Sequence, residues 1–243
     1  MLKRSADLIL SVFFPQPCTT CDRQSFSYEN GPACAFCWSQ TKIFERDDTV
    51  CVKCQALLVG SSADSIPYCR RCDIQSYDKA AAIGIYEHAL AATVVSLKTT
   101  PQVPRRIKAL IPEALARLDL SGRELIIPVP LSARRRHERG FNQAEVIASL
   151  VAKLTNCSID SVSLARRIHT PMHRVGMDMK ARELAVKKAF EVKRPKMIAG
   201  KSILLVDDVM TSGSTASYCA RVLKKAGAAE VNVFTLARAA LRQ

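Results

Sequence analysis

Residues 203–215 read Ile-Leu-Leu-Val-Asp-Asp-Val-Met-Thr-Ser-Gly-Ser-Thr, and this stretch decides the predicted fold of the second part of the chain. An apolar strand, 202–206, ends in two carboxylates, and a loop rich in Thr, Ser and Gly then leads into a predicted helix, 215–226. Backbone N–H groups of such a loop, with the helix N-terminus behind them, can surround a phosphate, and Gly213 lets the backbone approach it closely.

Two acids beside a phosphate would repel it unless they serve another part of the ligand. We expect Asp207 and Asp208 to accept hydrogen bonds from the vicinal hydroxyls of a ribose. The alternative is that the acids and hydroxyls only cap the loop and the helix, but the order strand, acids, loop, helix disfavours it. The candidate sugar-phosphate site therefore comprises Asp207, Asp208, Val209, Met210, Thr211, Ser212, Gly213, Ser214 and Thr215.

Apolar strands and amphipathic helices alternate on both sides of this stretch. This order predicts an α/β fold with a mostly parallel sheet flanked by helices. The predicted strands are 79–86, 124–129 and 230–236, and the predicted helices are 87–98, 105–118 and 143–154.

The first part of the chain has a different chemistry, because eight of the ten cysteines form four C-x-x-C pairs there. Each pair can supply two thiolates to a tetrahedral zinc site, so four pairs predict two structural Zn²⁺ centres in a double zinc ribbon. The candidate ligands are Cys18, Cys21, Cys34, Cys37, Cys51, Cys54, Cys69 and Cys72. Pairing neighbouring knuckles closes the shortest loops, but loop entropy favours it only slightly, and interleaved pairing stays open.

The amino-acid composition excludes several classes of protein. The chain has 243 residues, 48% of them apolar, so a packed core is feasible, and no run reaches the ~18 apolar residues of a membrane span. The first 15 residues favour an amphipathic helix over a signal peptide. Eight thiols that must stay reduced indicate the cytoplasm. We expect two units: an N-terminal helix with the zinc-ribbon module in 1–78, and a second domain in 79–243.

Three motifs together resemble the ComF family, whose competence members are called ComFC. They are the cysteine knuckles, the phosphate-loop stretch, which is similar to that of type I phosphoribosyltransferases, and the run Ile126-Ile127-Pro128-Val129-Pro130-Leu131 followed by Arg134 and Arg139-Gly140-Phe141-Asn142-Gln143. The resemblance implies a phosphoribosyltransferase-like domain that binds 5-phosphoribosyl-1-pyrophosphate (PRPP) with Mg²⁺. It places Lys98, Leu131, Ser132, Arg134 and Arg139 on the pyrophosphate side.

The resemblance also implies a cytoplasmic factor for natural transformation, which would handle single-stranded DNA with proteins of the DNA-uptake machinery. The net charge of +14 lies almost entirely beyond residue 100. A basic tract with Arg166, Arg167, Arg174, Lys180, Arg182, Lys187 and Lys188 is either a single-strand groove or a solvated surface. Two other hypotheses remain: a transferase acting on a nucleobase, an amine or another nucleophile, and a PRPP sensor without chemistry. No catalytic residue is nominated.

Overall fold

The computed structural model describes residues 16–25, 28–58, 66–122, 124–167 and 189–240. Its centre is a five-stranded sheet in the order β3-β9-β8-β4-β5, in which every neighbouring pair is parallel. Two short antiparallel pairs, β1 with β2 and β6 with β7, lie outside it. The strands are β1 (Gln16–Pro17), β2 (Gln24–Ser25), β3 (Ala80–Ile85), β4 (Leu125–Pro128), β5 (Ser158–Ile159), β6 (Leu164–Arg166), β7 (Phe190–Val192), β8 (Ser202–Met210) and β9 (Glu230–Arg238).

Helices connect the parallel strands, as parallel pairing requires. The described α-helices are α1 (Ala35–Ser39), α2 (His88–Ser96), α3 (Arg105–Leu115), α4 (Ala133–Arg139), α5 (Gln143–Thr155), α6 (Pro195–Ile198) and α7 (Ser214–Lys225). The mostly parallel sheet flanked by helices confirms the predicted fold class. None of the described helices has the length and apolar character needed to span a bilayer. The expected N-terminal helix lies outside the described residues.

Strand β8 is longer than the sequence indicates. We expected it to end at Val206, before the acids, but it continues to Met210 because β9 pairs with it as far as Met210 and Arg238. The two acids are therefore fixed by the sheet ladder rather than by a loop.

The sheet has a hydrophobic core on each face. Side chains along β8 alternate between them, so that Leu204 and Val206 face the core formed with α2, α3 and α5, whereas Ile203 and Leu205 face the core formed with α7. Such alternation is what the two-residue period of a strand produces in a sheet covered on both sides.

The cysteine-rich segment packs on both of these faces. Cys18, Cys34 and Trp38 belong to the core beside α2 and α3, while Cys54 and Tyr77 belong to the core beside α7. The segment thus contributes to both cores of the sheet. The division of the chain into units 1–78 and 79–243 stays a prediction.

The chain passes from one face to the other across the outer edge of β3. The Phe44 N–H donates to the Ile83 carbonyl at 2.9 Å, and the Ile85 N–H donates to the Lys42 carbonyl at 2.8 Å. This short antiparallel contact covers an edge strand that would otherwise present unpaired backbone groups. Gly84 makes the close approach possible, because a Cβ on it would lie 2.2 Å from the Lys42 carbonyl oxygen and 3.0 Å from the Ile43 Cα.

We therefore expect Gly84→Ala to lower the free energy of unfolding by about 2–4 kcal/mol, because the added methyl meets backbone atoms that cannot rotate away. Chemical denaturation of the zinc-loaded protein measures this. The control is Gly122→Ala, where a Cβ meets nothing within 4 Å and only the positive φ of +77° is costly, by about 1 kcal/mol. Equal losses in both variants would contradict the docking role of Gly84.

Candidate functional site

The carboxyl end of β8 opens into a small pocket at the start of α7. It is lined by Asp207, Val209, Met210, Thr211, Gly213, Ser214, Thr215, Ala216 and Thr235. Gly213 is the residue preceding α7 and has a φ of +80°, a conformation that favours glycine. The Ser212 and Ser214 hydroxyls lie 2.9 Å apart beside it. The pocket thus combines hydroxyl donors with the N-terminus of a 12-residue helix.

The two acids lie side by side at this end of the strand. Asp208 is buried, and its Oδ2 accepts a hydrogen bond of 3.2 Å from Gln143 Nε2. Burial, and after it the charge of Asp208, raise the pKa of the Asp207 carboxyl well above its ordinary range, whereas Arg166 acts in the opposite direction. Ligand hydroxyls that donate to these oxygens would favour their charged form.

Gln143 is a site residue to which the sequence analysis assigned no role. Arg139 Nη1 donates to Gln143 Oε1 at 2.9 Å, so a chain of two hydrogen bonds runs from Arg139 to Asp208. Asn142 caps α5 through its bond with the Ala144 N–H, and its Nδ2 donates to the Val129 carbonyl at 3.0 Å. The motif from Arg139 to Gln143 therefore connects the ends of β4 and β8. Arg139, which we expected on the pyrophosphate side, is linked to Asp208 through Gln143.

Residues 133–139 form the helix α4, although four of its seven residues are arginines. The buried Ser132 begins α4 by accepting a bond from the Arg135 N–H, and Gly140, with a φ of +77°, ends it. Side-chain capping and a C-terminal glycine are standard helix boundaries that override the charge repulsion of an arginine run.

Two arginines of α4 form ion pairs with neighbouring acids. Arg134 Nε lies 2.7 Å from Glu138, and Arg136 makes a forked contact with Glu145 at 2.8 and 3.0 Å. Arg134, which we expected on the pyrophosphate side, is therefore exposed and forms an ion pair with an acid of its own helix. Leu131 precedes the cap, and Lys98 lies in the turn after α2, where none of the described side-chain contacts links it to the pocket.

The hairpin of β6 and β7 brings a further arginine to the acids. Arg166 lies over the Phe190 ring, with its guanidinium carbon 5.3 Å from the ring centre, and its charge acts on Asp207. Burial and the nearby Arg135 lower the pKa of Arg166. Residues 168–188, which contain the other members of the basic tract, lie outside the described residues.

The eight cysteines form two groups of four, each made from neighbouring knuckles. Sulfur atoms of Cys18, Cys21, Cys34 and Cys37 lie within 4.8 Å of one another, as do those of Cys51, Cys54, Cys69 and Cys72. The closest sulfur contacts, 3.5–3.7 Å, match the edges of about 3.8 Å in a tetrahedron with zinc–sulfur bonds of about 2.3 Å. The donor set fits structural zinc, and sequential pairing is the arrangement found.

Backbone donors favour thiolates in both centres. The Cys34 N–H donates to Cys18 Sγ at 3.3 Å, and the Cys69 N–H donates to Cys51 Sγ at 3.4 Å. Burial by itself would raise the pKa of the Cys18 thiol, but backbone donors, with Cys34 the strongest, lower that pKa to about 6. A thiolate is the form that binds a metal ion.

The second part of the chain matches a known protein family. The phosphoribosyl transferase domain family matches residues 139–242, a range that contains α5, β8, the pocket loop and α7. Two solved enzyme structures overlap weakly with the chain. The glutamine PRPP amidotransferase from B. subtilis gives a TM-score of 0.32 at 20% identity, covering 46% of this chain and 22% of that one. The allosteric regulatory enzyme of purine biosynthesis gives a TM-score of 0.35 at 21% identity. The match covers 53% of this chain and 25% of that one.

The curated relatives include a DNA utilization protein and two competence proteins. The DNA utilization protein YhgH of Salmonella typhimurium is 32% identical over 184 residues, which cover 72% of this chain and 78% of that protein. Competence protein F of Haemophilus influenzae is 28% identical over 229 residues, covering 91% and 90%. Competence protein ComFC of Bacillus subtilis is 32% identical over 120 residues, covering 47% and 44%.

The sulfur geometry predicts two zinc ions per chain, one in each group. Elemental analysis should find two for the native chain and about one for Cys18→Ser or Cys51→Ser, because a group reduced to three thiolates loses most of its affinity. Combining Cys18→Ser with Cys37→Ser should cause no further loss, since both belong to one group. Cys157→Ser, outside both groups, is the control. A double variant that loses both ions would contradict the sequential pairing.

Proposed function

The chain belongs to the ComF family, which includes competence protein F and the DNA utilization protein YhgH, and from this membership we propose that it binds PRPP with Mg²⁺ in the pocket after β8 and serves DNA uptake in the cytoplasm. The observation that supports PRPP most directly is the pocket itself. Asp207 lines the pocket together with the hydroxyl-bearing loop that begins α7, and Asp208 is the next residue of β8, bonded to Gln143. This is a set of acceptors for ring hydroxyls next to a set of donors for a phosphate.

The charges around the pocket support the same ligand. The loop would supply donors for the 5′-phosphate, while Arg139 is linked to Asp208 through Gln143. Adjacent carboxylate oxygens also fit Mg²⁺, which is commonly bound through one or two carboxylates together with substrate phosphates. When bound, the ion would neutralise part of the pyrophosphate charge. The chain's own contribution is to orient the ribose through Asp207 and Asp208.

A DNA-related role is supported by the names of the relatives and by the location of positive charge. Arg166 and Arg167 lie at the end of β6, and Phe190 begins β7, so the hairpin brackets the basic segment 168–188. We propose that this segment contacts the backbone of single-stranded DNA. Arg134 and Arg136 contribute less to this surface because Glu138 and Glu145 already pair with them.

The PRPP proposal predicts opposite effects of Asp207→Asn on binding and on stability. Titration calorimetry should show PRPP–Mg²⁺ affinity reduced about 10- to 100-fold, since two charge-assisted bonds to hydroxyls weaken. The free energy of unfolding without ligand should rise by about 1 kcal/mol at neutral pH, because a half-buried carboxylate that repels Asp208 is removed.

The gain in the free energy of unfolding expected for Asp207→Asn depends on pH. The pKa of Asp207 is raised in the folded state, so the wild-type chain loses stability as pH rises through that value. The advantage of Asp207→Asn should therefore shrink as pH falls and Asp207 becomes protonated. Asp47→Asn, at an exposed acid outside the site, is the control.

Unchanged PRPP affinity in Asp207→Asn and Asp208→Asn would refute the proposed site. Release of pyrophosphate with a candidate acceptor would identify a transferase rather than a sensor.

The DNA proposal predicts a salt-dependent affinity for oligothymidylate that is measurable by fluorescence anisotropy. Replacing Lys180, Arg182, Lys187 and Lys188 by Ala should make the slope of log affinity against log salt shallower by up to about 3, since each neutralised phosphate contributes roughly 0.7. The matched control replaces four exposed lysines elsewhere, Lys108, Lys153, Lys196 and Lys201. Equal changes in the two variants would show that bulk charge, and not this segment, binds DNA.

A further inference from the structure

Arg238 occupies a position between the phosphate loop and the second cysteine group, Cys51, Cys54, Cys69 and Cys72. It is the last residue of β9 and is 3% exposed. Its Nη1 donates to the Thr211 carbonyl at 2.7 Å and to the Met210 carbonyl at 3.3 Å. Its Nη2 donates to Cys54 Sγ at 3.5 Å. One guanidinium therefore contacts both the loop proposed to bind phosphate and a candidate zinc ligand.

The two carbonyl contacts determine how the loop presents its donors. Peptide bonds in the described part of the chain are all trans, so each carbonyl and the following N–H point in opposite directions. Because the carbonyls of Met210 and Thr211 turn toward Arg238, the N–H groups of Thr211 and Ser212 are directed away from it. A guanidinium on one side of these peptides thus fixes donors on the other side, which an anion requires.

The sulfur contact connects this arrangement to the metal centre. Four thiolates with one Zn²⁺ have a formal charge of −2, and a buried centre of that charge is stabilised by a cation that donates to one of its sulfur atoms. Arg238 Nε has no hydrogen-bond partner within the described residues, although it is buried. An unsatisfied buried donor is unfavourable, so stability alone is a poor explanation for an arginine at this position.

The same cysteine group supports the loop from a second direction. A Cβ on Gly213 would lie 3.2 Å from Tyr77 Oη and 3.3 Å from Gln75 Oε1, so the backbone of Gly213 rests directly on these side chains. Gln75 follows Cys72 closely, and its N–H donates to the Cys72 carbonyl at 3.2 Å. The next residue, Ser76, donates through its N–H to Ser217 Oγ in α7 at 2.9 Å.

We propose that Arg238 is a positioning residue that couples the second cysteine centre to the phosphate loop, so that a metal ion in this centre strengthens anion binding by the loop. The first centre, with Cys18 and Cys37, lies in the core on the opposite face of the sheet and is not part of this coupling. The identity of the anion as PRPP rests on the proposed function, whereas the contacts between Cys54, Arg238 and the loop do not.

The test uses Arg238→Met in the full chain loaded with zinc. Calorimetry with PRPP and Mg²⁺ should show affinity reduced about 10- to 100-fold, the effect of losing one or two hydrogen bonds from a charged group. Zinc transfer to the chelator 4-(2-pyridylazo)resorcinol should become faster for one of the two ions. The coupling of two binding free energies is reciprocal, so PRPP should raise the affinity of the wild-type chain for that same ion, measured by equilibrium competition with the chelator.

The matched control is Arg117→Met. Arg117 also donates to backbone carbonyls that join the cysteine segment to the sheet, to Phe44 at 2.5 Å and to Ala82 at 3.4 Å, but it contacts neither the loop nor a cysteine among the described residues. Arg117→Met should lower the melting temperature while leaving PRPP affinity and zinc release unchanged. Arg238→Lys, which retains the charge without the fork, should give an intermediate loss in both readouts and replaces Arg238→Met if the latter does not fold.

Three results would overturn the coupling: native PRPP affinity in Arg238→Met, native zinc release in Arg238→Met, or equal effects in Arg117→Met. Failure of the proposed function looks different. If the wild-type chain binds no PRPP at millimolar concentration, the ligand assignment is wrong, and the zinc-release comparison between Arg238→Met and Arg117→Met alone decides whether Arg238 supports the metal centre.

Discussion

Docking of the cysteine-rich segment on the edge strand β3 is the constraint on which the rest of the molecule depends. Short segments bury too little apolar surface to fold on a core of their own and commonly need metal ions. Here Trp38 and Tyr77, both nearly fully buried, pack on opposite faces of one sheet. The segment thus obtains its core from the sheet, and the sheet obtains a covered edge. Because β3 pairs with β9, the same docking fixes the strand that ends in Arg238.

Parallel pairing then brings the site together from distant parts of the sequence. The carboxyl ends of β4, β8 and β9 lie at one edge of the sheet, so Val129, Asp208 and Thr235 approach one another without being neighbours in the chain. This is the edge at which ligands bind in open α/β sheets. The hydrogen bond between Gln143 and Asp208 joins residues 65 positions apart and shows how much of the site depends on this topology.

Local sequence patterns predict much of this structure. The buried strand, the two acids and the Ser/Thr/Gly loop are contiguous, so their order alone predicts that they lie together, and C-x-x-C spacing predicts the two groups of four cysteines. The extension of β8 to Met210 depends on pairing with β9, and the helix at 133–139 depends on the Ser132 cap outweighing an arginine run. Arg238 had no local signature, because its partners Cys54 and Thr211 are adjacent to it only in the fold.

The pair Asp207 and Asp208 is an unfavourable feature that the surrounding structure offsets only in part. The N–H groups of Asp208 and Val209 donate to the two carboxylates at 2.9 and 2.8 Å, and Gln143 adds a third donor. These bonds stabilise negative charge, yet burial and mutual repulsion still raise the pKa of Asp207. A ligand with two adjacent hydroxyls and a bound cation would relieve this repulsion. The repulsion between the two acids would therefore favour such a ligand over a phosphate alone, which would add further negative charge beside the acids.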